Sequence, residues 1–173
     1  ISVKGLQKYY GPTHAVDGIS FSVNAGELFG FLGVNGAGKT TTIQMLSTLV
    51  RPTAGEAEIC GHKLGHEDAQ IRREIGIVRQ QNGLDDLLTV EENLFCRASL
   101  YQKDRVENKK RLAELCDLLS LEDTLKRRYQ QLSGGQKRKC EIAAALMHAP
   151  RVLFLDEPTT GLDPATRKAV WHA

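Results

Sequence analysis

The chain has 173 residues, of which 41% are apolar and 25% charged, the size and composition of one ordinary globular domain. Its net charge of +2 is too small to indicate a polyanion as the main partner, and its four cysteines form no C-x-x-C pair typical of a zinc site. No apolar run approaches the roughly 20 residues that cross a bilayer. Nucleic-acid packaging, structural zinc and a membrane-spanning helix are therefore disfavoured.

The first half of the sequence predicts short strands around one helix. The stretch "LFGFL" (28–32) is nearly continuous apolar sequence, which is typical of a strand buried on both faces. A glycine-rich turn follows, and then "KTTTIQMLSTLV" (39–50) predicts a helix that ends before Pro52. The predicted β segments are 1–8, 19–33, 55–61 and 75–80.

A helical block follows these strands. Thr89-x-x-Glu92 is a capping-box signature for a helix start, and 133–149 predicts a helix that ends before Pro150. The stretch 105–121 places apolar residues at helical spacing, namely Val106, Leu112, Leu115, Cys116 and Leu119.

"RVLFLDEP" (151–158) returns to the pattern of a buried strand. Because strands alternate with helices, we predict an α/β fold with a mainly parallel sheet. We expect one domain over 1–173, with an α/β core of 1–83 and 150–173 and a helical subdomain of 84–149 between them.

The segment Gly33 to Thr40, "GVNGAGKT", matches the phosphate-binding pattern G-x-x-x-x-G-K-T between an apolar segment and a predicted helix. We call it the phosphate loop. Glycines let the backbone wrap closely around phosphate, and the helix start directs N–H groups at it. Lys39 is expected to reach the β- and γ-phosphates and Thr40 to ligate Mg²⁺. The predicted nucleotide-binding residues here are Gly33, Val34, Asn35, Gly36, Ala37, Gly38, Lys39, Thr40 and Thr41.

Two carboxylates follow the apolar run "VLFL". Asp156 is predicted at the carboxyl end of a strand, where ligands bind in open α/β sheets, and is expected to hold Mg²⁺. Glu157 is the candidate general base that polarises the attacking water.

The stretch "LSGGQ" (132–136), which we call the signature loop, has two readings. Ser133-x-x-Gln136 fits a capping box, which requires only a helix start. Gly134 and Gly135 each weaken a first helical turn, which instead favours close approach of a phosphate.

Taken together in this order and spacing, "GVNGAGKT", "LSGGQ", "VLFLDE" and "TTGLD" resemble the nucleotide-binding domain of ATP-binding cassette (ABC) proteins. The segments "GAGKTTTIQML" and "TTGLDPATRKAVW" are similar to the daunorubicin-resistance type of ABC-2 exporter ATPase. The resemblance implies a P-loop NTPase (RecA-like) core, with the helical subdomain inserted between the Q-loop and the Walker B strand. It also implies that the final strands of the sheet and a switch histidine are missing from these 173 residues.

Residue roles follow from the same resemblance. Tyr10 matches the aromatic residue that stacks on adenine, with Tyr9 as the other candidate. Gln80 matches the Q-loop glutamine at Mg²⁺ and the attacking water, with Gln81 as its alternative. Asp163 matches the D-loop aspartate of a dimer interface. The family dimerises head to tail, so the resemblance implies that Ser133, Gly134, Gly135 and Gln136 complete the ATP site of a second copy.

We therefore expect an ATP-hydrolysing subunit of a membrane exporter, with ATP and Mg²⁺ as cofactors and Lys39, Gln80 and Glu157 as catalytic residues. Its expected partners are a second nucleotide-binding domain and a transmembrane permease, and its expected location is the cytoplasmic face of the membrane. One alternative is a non-transport ABC ATPase that acts on nucleic acid or ribosomes. Another is an unrelated P-loop kinase in which "LSGGQ" is accidental.

Overall fold

The computed structural model describes residues 1–79, 83–101 and 104–156 of the chain. It divides into two compact units, Ile1–Ile75 and Gly76–Ala173, which are described separately. No helix in the described ranges is long and apolar enough to cross a membrane.

The first unit contains a four-stranded sheet in the order β2-β1-β3-β4. All of its strand pairs are antiparallel, so the prediction of a mainly parallel sheet is wrong for this unit. The reason is local, since β1 and β2 are separated by only Gly11 and Pro12, and a tight hairpin can join only antiparallel strands. The elements are β1 (Ser2–Tyr10), β2 (Thr13–Ser22), α1 (Lys39–Leu46), β3 (Ala54–Ile59), β4 (His62–Lys63) and α2 (Asp68–Glu74).

The apolar segment 28–32 does not form the predicted buried strand. It pairs with no strand in the described part of the chain. Leu28 is 71% exposed and Leu32 is 96% exposed. Phe29 and Phe31 instead pack on Phe21 of β2, with ring centroids 5.0 and 5.3 Å from its own. Ring contacts with β2 have replaced a ladder of backbone hydrogen bonds here.

Helix α1 ends at Leu46, earlier than the Pro52 boundary predicted. Thr48 adopts the left-handed conformation with φ 63°, and its N–H donates to the Met45 carbonyl at 3.0 Å. The next N–H, from Leu49, donates to the Gln44 carbonyl at 2.9 Å. These two bonds form a Schellman motif, which closes the helix without a glycine or a proline.

Helix α2 was not predicted. Only Ile71 of its seven residues is buried, so it has no repeating apolar stripe to reveal it in the sequence.

The second unit is mainly helical and has one continuous apolar core. Its elements are β5 (Ile75–Val78), α3 (Val90–Ser99), α4 (Arg105–Leu119), α5 (Gly134–Leu146) and β6 (Val152–Leu155), with two short 3₁₀ turns at Glu122–Thr124 and Tyr129–Gln131. All three predicted helices are present. The predicted Thr89–Glu92 capping box at α3 is confirmed. Val106 is the exception in the predicted apolar stripe of α4, because it lies in the first turn and is 77% exposed.

The strands β5 and β6 form a two-stranded sheet in this unit. The Asp156 N–H donates to the Val78 carbonyl at 2.9 Å, which joins the ends of the two strands. Gly76 lies against helix α5, since a Cβ atom there would come within 2.5 Å of the Ala145 carbonyl oxygen. Close packing of β5, β6 and α5 therefore fixes the position at which each strand ends.

Candidate functional site

The phosphate loop leads directly into helix α1, as the sequence predicts. Gly36 and Gly38 have φ angles of 84° and 82°, in the left-handed region that other residues avoid. A Cβ atom at Gly38 would lie 2.3 Å from the Ala15 carbonyl oxygen, whereas one at Gly36 would meet nothing within 4 Å. Gly38 is thus required both by backbone conformation and by close packing on β2, and Gly36 by conformation alone.

Lys39 is folded back into the loop that precedes it. Its Nζ donates to the carbonyl oxygens of Gly33 at 2.7 Å and Val34 at 2.9 Å. The ammonium group is therefore held by two backbone carbonyls of the loop that leads into α1. A fixed positive charge inside a curved backbone is the arrangement that binds an anion.

The start of α1 is left open by its own side chains. Gly38 is the N-cap residue and cannot supply a side-chain oxygen, and no acidic residue lies in the first turn. Such a start offers both N–H donors and the positive end of the helix dipole. Most of the other predicted loop ligands are exposed, and only Thr41 is half-buried. The exposed ones are Gly33, Val34, Asn35, Gly36, Ala37 and Thr40. The loop is thus accessible to a ligand.

The two adjacent tyrosines of β1 differ in the contacts that their side chains make. The Tyr9 hydroxyl donates to Asp17 at 2.7 Å, and its ring stacks on His14 with centroids 3.9 Å apart. That hydrogen bond is the main cause that raises the pKa of Tyr9. Tyr10 is 49% exposed and contacts only the Lys8 ammonium among described cation–ring pairs, at 4.9 Å. Tyr10 therefore has the freer ring face.

The signature loop begins helix α5 with the capping box that the sequence predicts. The Ser133 hydroxyl accepts from the Gln136 N–H at 3.3 Å, and the Gln136 side chain accepts from the Ser133 N–H at 3.0 Å. This reciprocal pair is a complete capping box. Ser133 and Gly134 are exposed, and Gly135 and Gln136 half-buried, so the loop is capped and still reachable.

The end of β6 carries Asp156, which is half-buried. Three predicted site residues, Gln80, Glu157 and Asp163, lie outside the described residues. Their chain neighbours are described, however. Arg79 directly precedes Gln80, and Asp156 directly precedes Glu157.

Sequence reasoning missed a buried polar group that joins these two neighbours. The Arg138 side chain, on α5, donates to the carbonyl oxygens of Arg79 at 2.5 Å and Asp156 at 3.0 Å. It also pairs with Glu141 at 3.1 Å, and Glu141 accepts from the Tyr129 hydroxyl at 2.9 Å. A signal was available, because Arg138 and Glu141 lie on the same helical stripe as the apolar Ile142.

Burial raises the pKa of two side chains in this unit, Tyr129 and Cys140. It is the main cause that raises the pKa of Tyr129 far above its usual range, and the hydrogen bond to Glu141 adds to it. Burial also raises the pKa of Cys140 to about 12. Tyr129 therefore remains a protonated donor to Glu141 at any physiological pH.

Two relatives named for drug resistance and for export match almost the whole chain. The doxorubicin resistance ATP-binding protein DrrA of Mycobacterium tuberculosis (strain H37Rv) is 46% identical over 173 residues, which is 99% of this chain and 52% of the relative. The Nod factor export ATP-binding protein I of Ralstonia nicotianae is 42% identical over 172 residues, 99% of this chain and 54% of that protein. The chain thus spans about half the length of these relatives.

A solved structure confirms the predicted fold class. The dimeric ATP-binding cassette MJ0796, in a post-hydrolysis state bound to ADP and Pi, matches with a TM-score of 0.85 and 30% identity over 98% of this chain and 78% of that one. The family model described as "ABC transporter" matches residues 16–160. The resemblance inferred from the motifs is thereby confirmed, and the chain belongs to the ABC transporter family.

Proposed function

We propose that the chain is the ATP-binding and ATP-hydrolysing part of an exporter subunit. The observation that carries this proposal is the phosphate loop, in which Lys39 is held on two loop carbonyls in front of a helix start without a side-chain cap. The names of the two relatives, which refer to doxorubicin resistance and to Nod factor export, support export as the process.

The residues present fit a nucleoside triphosphate. Lys39 offsets the charge of the β- and γ-phosphates, and the N–H groups at the start of α1 donate to them. The free face of the exposed Tyr10 ring suits stacking on a base. No side chain obstructs Gly36, where a Cβ would meet nothing within 4 Å, so a phosphate can approach its backbone.

Thr40, Gln80 and Asp156 are the residues that we propose to hold Mg²⁺. When bound, Mg²⁺ supplies positive charge that stabilises the transferring phosphoryl group. Glu157 accepts a hydrogen bond from the attacking water and orients it in line with the γ-phosphorus. The protein contributes mainly position and electrostatics to this step, since phosphoryl transfer needs little covalent participation.

We further propose that Ser133, Gly134, Gly135 and Gln136 close over the nucleotide held by a second copy, with Asp163 at the interface. The dimeric state of the similar cassette MJ0796 supports this arrangement. Removal of the γ-phosphate by hydrolysis removes a ligand shared by two chains, so the dimer opens. The helical subdomain 84–149 then passes this motion to a transmembrane permease at the cytoplasmic face of the membrane.

Nucleotide binding and turnover, measured on the full-length protein, test the proposal. We expect the wild type to bind a fluorescent ATP analogue and to hydrolyse ATP, and Glu157→Gln to retain binding but lose roughly 100-fold or more in turnover. A wild-type protein that binds no ATP would overturn the nucleotide assignment. Affinity purification of the full-length protein from its own membranes should yield a complex with a membrane-spanning protein, and the absence of any such complex would argue against export.

A further inference from the structure

Arg138 is a buried cation that the proposed chemistry does not use. It lies in the second turn of α5 and is only 7% exposed. Burying a guanidinium is costly unless its donors are satisfied by well-placed acceptors. The groups that accept hydrogen bonds from Arg138 therefore indicate what this buried side chain holds in place.

The acceptors of Arg138 are the backbone ends of two different strands. One terminal nitrogen of the guanidinium donates to the Arg79 carbonyl after β5, and the other to the Asp156 carbonyl after β6. The guanidinium is planar and its donors have a fixed spacing, so one side chain sets the separation of both carbonyls. The backbone bond from Asp156 to Val78 holds the same two ends together from the other side.

The orientation of this fork is itself fixed. Glu141, one turn further along α5, pairs with the nitrogen that also donates to Arg79. The second oxygen of Glu141 accepts from Tyr129, whose side chain is fully buried. Arg138 therefore cannot rotate away from the strand ends without breaking a chain of buried hydrogen bonds.

We infer that Arg138 is a positioning residue for hydrolysis. It joins the helix that begins at the signature loop to the backbone directly before Gln80 and directly before Glu157. Through this contact a displacement of α5, when the signature loop engages the nucleotide of a second copy, is passed to the residues that act on water in the chain's own site. This inference rests on the proposed function and adds a link between its two nucleotide sites.

The test compares Arg138→Met with Arg111→Met in the full-length protein. Arg111 is a matched control, because it also donates to a backbone carbonyl of α5, at Leu146, and pairs with a glutamate three residues later, but among the described residues it has no hydrogen bond to either strand end. We expect Arg138→Met to lower kcat by roughly 10- to 100-fold with the affinity for a fluorescent ATP analogue within about twofold of wild type. Arg111→Met should keep kcat within about twofold, since the carbonyl that Arg111 contacts belongs to Leu146 and precedes neither Gln80 nor Glu157.

A second pair of variants covers the case in which Arg138→Met does not fold. Arg138→Lys keeps the charge but not the fork, so we expect it to regain the thermal midpoint without regaining kcat. Tyr129→Phe keeps the Arg138 guanidinium and removes only the hydrogen bond from Tyr129 to Glu141. We expect kcat to fall by about two- to fivefold.

The inference would be overturned if Arg138→Met and Arg138→Lys kept wild-type kcat. It would also be overturned if kcat and nucleotide binding both fell by the same factor as the fraction of folded protein, because the variants would then only have lost stability. Either result leaves the proposed function intact, because it is obtained on an ATPase that works. A wild type without ATP binding would instead refute the proposed function itself.

Discussion

Two glycine-rich helix starts, at α1 and α5, have similar sequences and opposite local chemistry. At α1 the cap residue is Gly38, no side chain caps the helix, and Lys39 turns back onto the loop. At α5 Ser133 and Gln136 cap each other in a complete box. One start lacks a side-chain cap and holds a lysine ammonium, and the other is capped by its own side chains and remains exposed.

The difference indicates how each start would meet a phosphate. The phosphate loop already holds the Lys39 ammonium on two of its own carbonyls, and no side chain caps the start of α1. In the signature loop the Ser133 hydroxyl oxygen and the Gln136 side-chain oxygen already accept hydrogen bonds within the capping box, so they would contact a phosphate in addition to these bonds or in place of them. This difference fits the proposed cycle, in which the phosphate loop of one copy holds the nucleotide and the signature loop of a second copy closes over it.

Removing Lys39 is the change with the largest expected effect. Lys39→Ala deletes the only side-chain cation that the described phosphate loop holds at its centre, so we expect hydrolysis to fall by roughly 100-fold or more. Equilibrium binding of a fluorescent ATP analogue should weaken as well. Unchanged affinity would show that Lys39 contacts no phosphate, and the start of α1 would then not differ from the start of α5 in phosphate binding.

Adding one methyl group at each start should have opposite effects on stability. Gly38→Ala meets the Ala15 carbonyl and a positive φ, and we expect it to lower the free energy of unfolding by about 2 to 4 kcal/mol. Gly134→Ala meets nothing within 4 Å and should raise the free energy by about 0.5 to 1 kcal/mol through helix propensity. Denaturant unfolding without nucleotide measures both.

Gly36→Ala is the control for this pair, since it has the positive φ of Gly38 without the clash. Its expected loss is about 1 to 2 kcal/mol. If Gly36→Ala and Gly38→Ala lost the same amount, close packing on β2 would not be the reason for Gly38.

Removing the cap at α5 should cost as much as removing the matched cap at α3. Ser133→Ala and Thr89→Ala both break a capping box, and each should lower the free energy of unfolding by about 1 kcal/mol. Only Ser133→Ala should also reduce ATP-dependent dimerisation, measured by light scattering on the Glu157→Gln background. Equal dimerisation of the two variants would reduce the signature loop to a helix cap.

The two capping boxes should also differ in their response to acid, the smallest effect expected. Hydrogen bonding from the Thr89 N–H is the main cause that lowers the pKa of Glu92, so the α3 box contributes stability above the usual glutamate pKa and loses it as the pH falls through the lowered value. Gln136 does not titrate, and the α5 box should persist.

Amide exchange at 90–92 and 134–136, followed by NMR from pH 6 to about pH 3, distinguishes the two helix starts. Glu92→Gln converts the α3 box to the α5 type and should abolish the difference. Equal acid sensitivity at both starts would contradict this assignment.

Features that depend on neighbours in sequence could be predicted, and those that depend on remote partners could not. The Thr89 and Ser133 boxes need only residues three positions apart, and both are present. The strand expected at 28–32 needs a partner strand to accept its hydrogen bonds, and the apolar pattern alone does not supply one. Helix α2 lacks an apolar repeat altogether.

The candidate site divides along the same line. The phosphate loop is contiguous, so its glycine pattern predicted the turn into helix α1, whereas the contacts of Lys39 with the loop carbonyls were not predicted. Arg138 acts on carbonyls 59 and 18 positions away, and backbone carbonyls have no signature in the sequence. Contacts from side chain to distant backbone become visible only once the fold is known.

Heterodimers with one altered copy of each loop test the account most directly. Lys39→Ala disables the open start, and Ser133→Asp keeps a good helix cap while repelling phosphate. Both are made on the Glu157→Gln background, purified as two-tag heterodimers, and assayed for occluded ATP. With the two changes on different subunits the account predicts one occluded ATP per dimer, and with both on one subunit none. The reverse pattern would mean that each copy encloses its own nucleotide and would contradict the account.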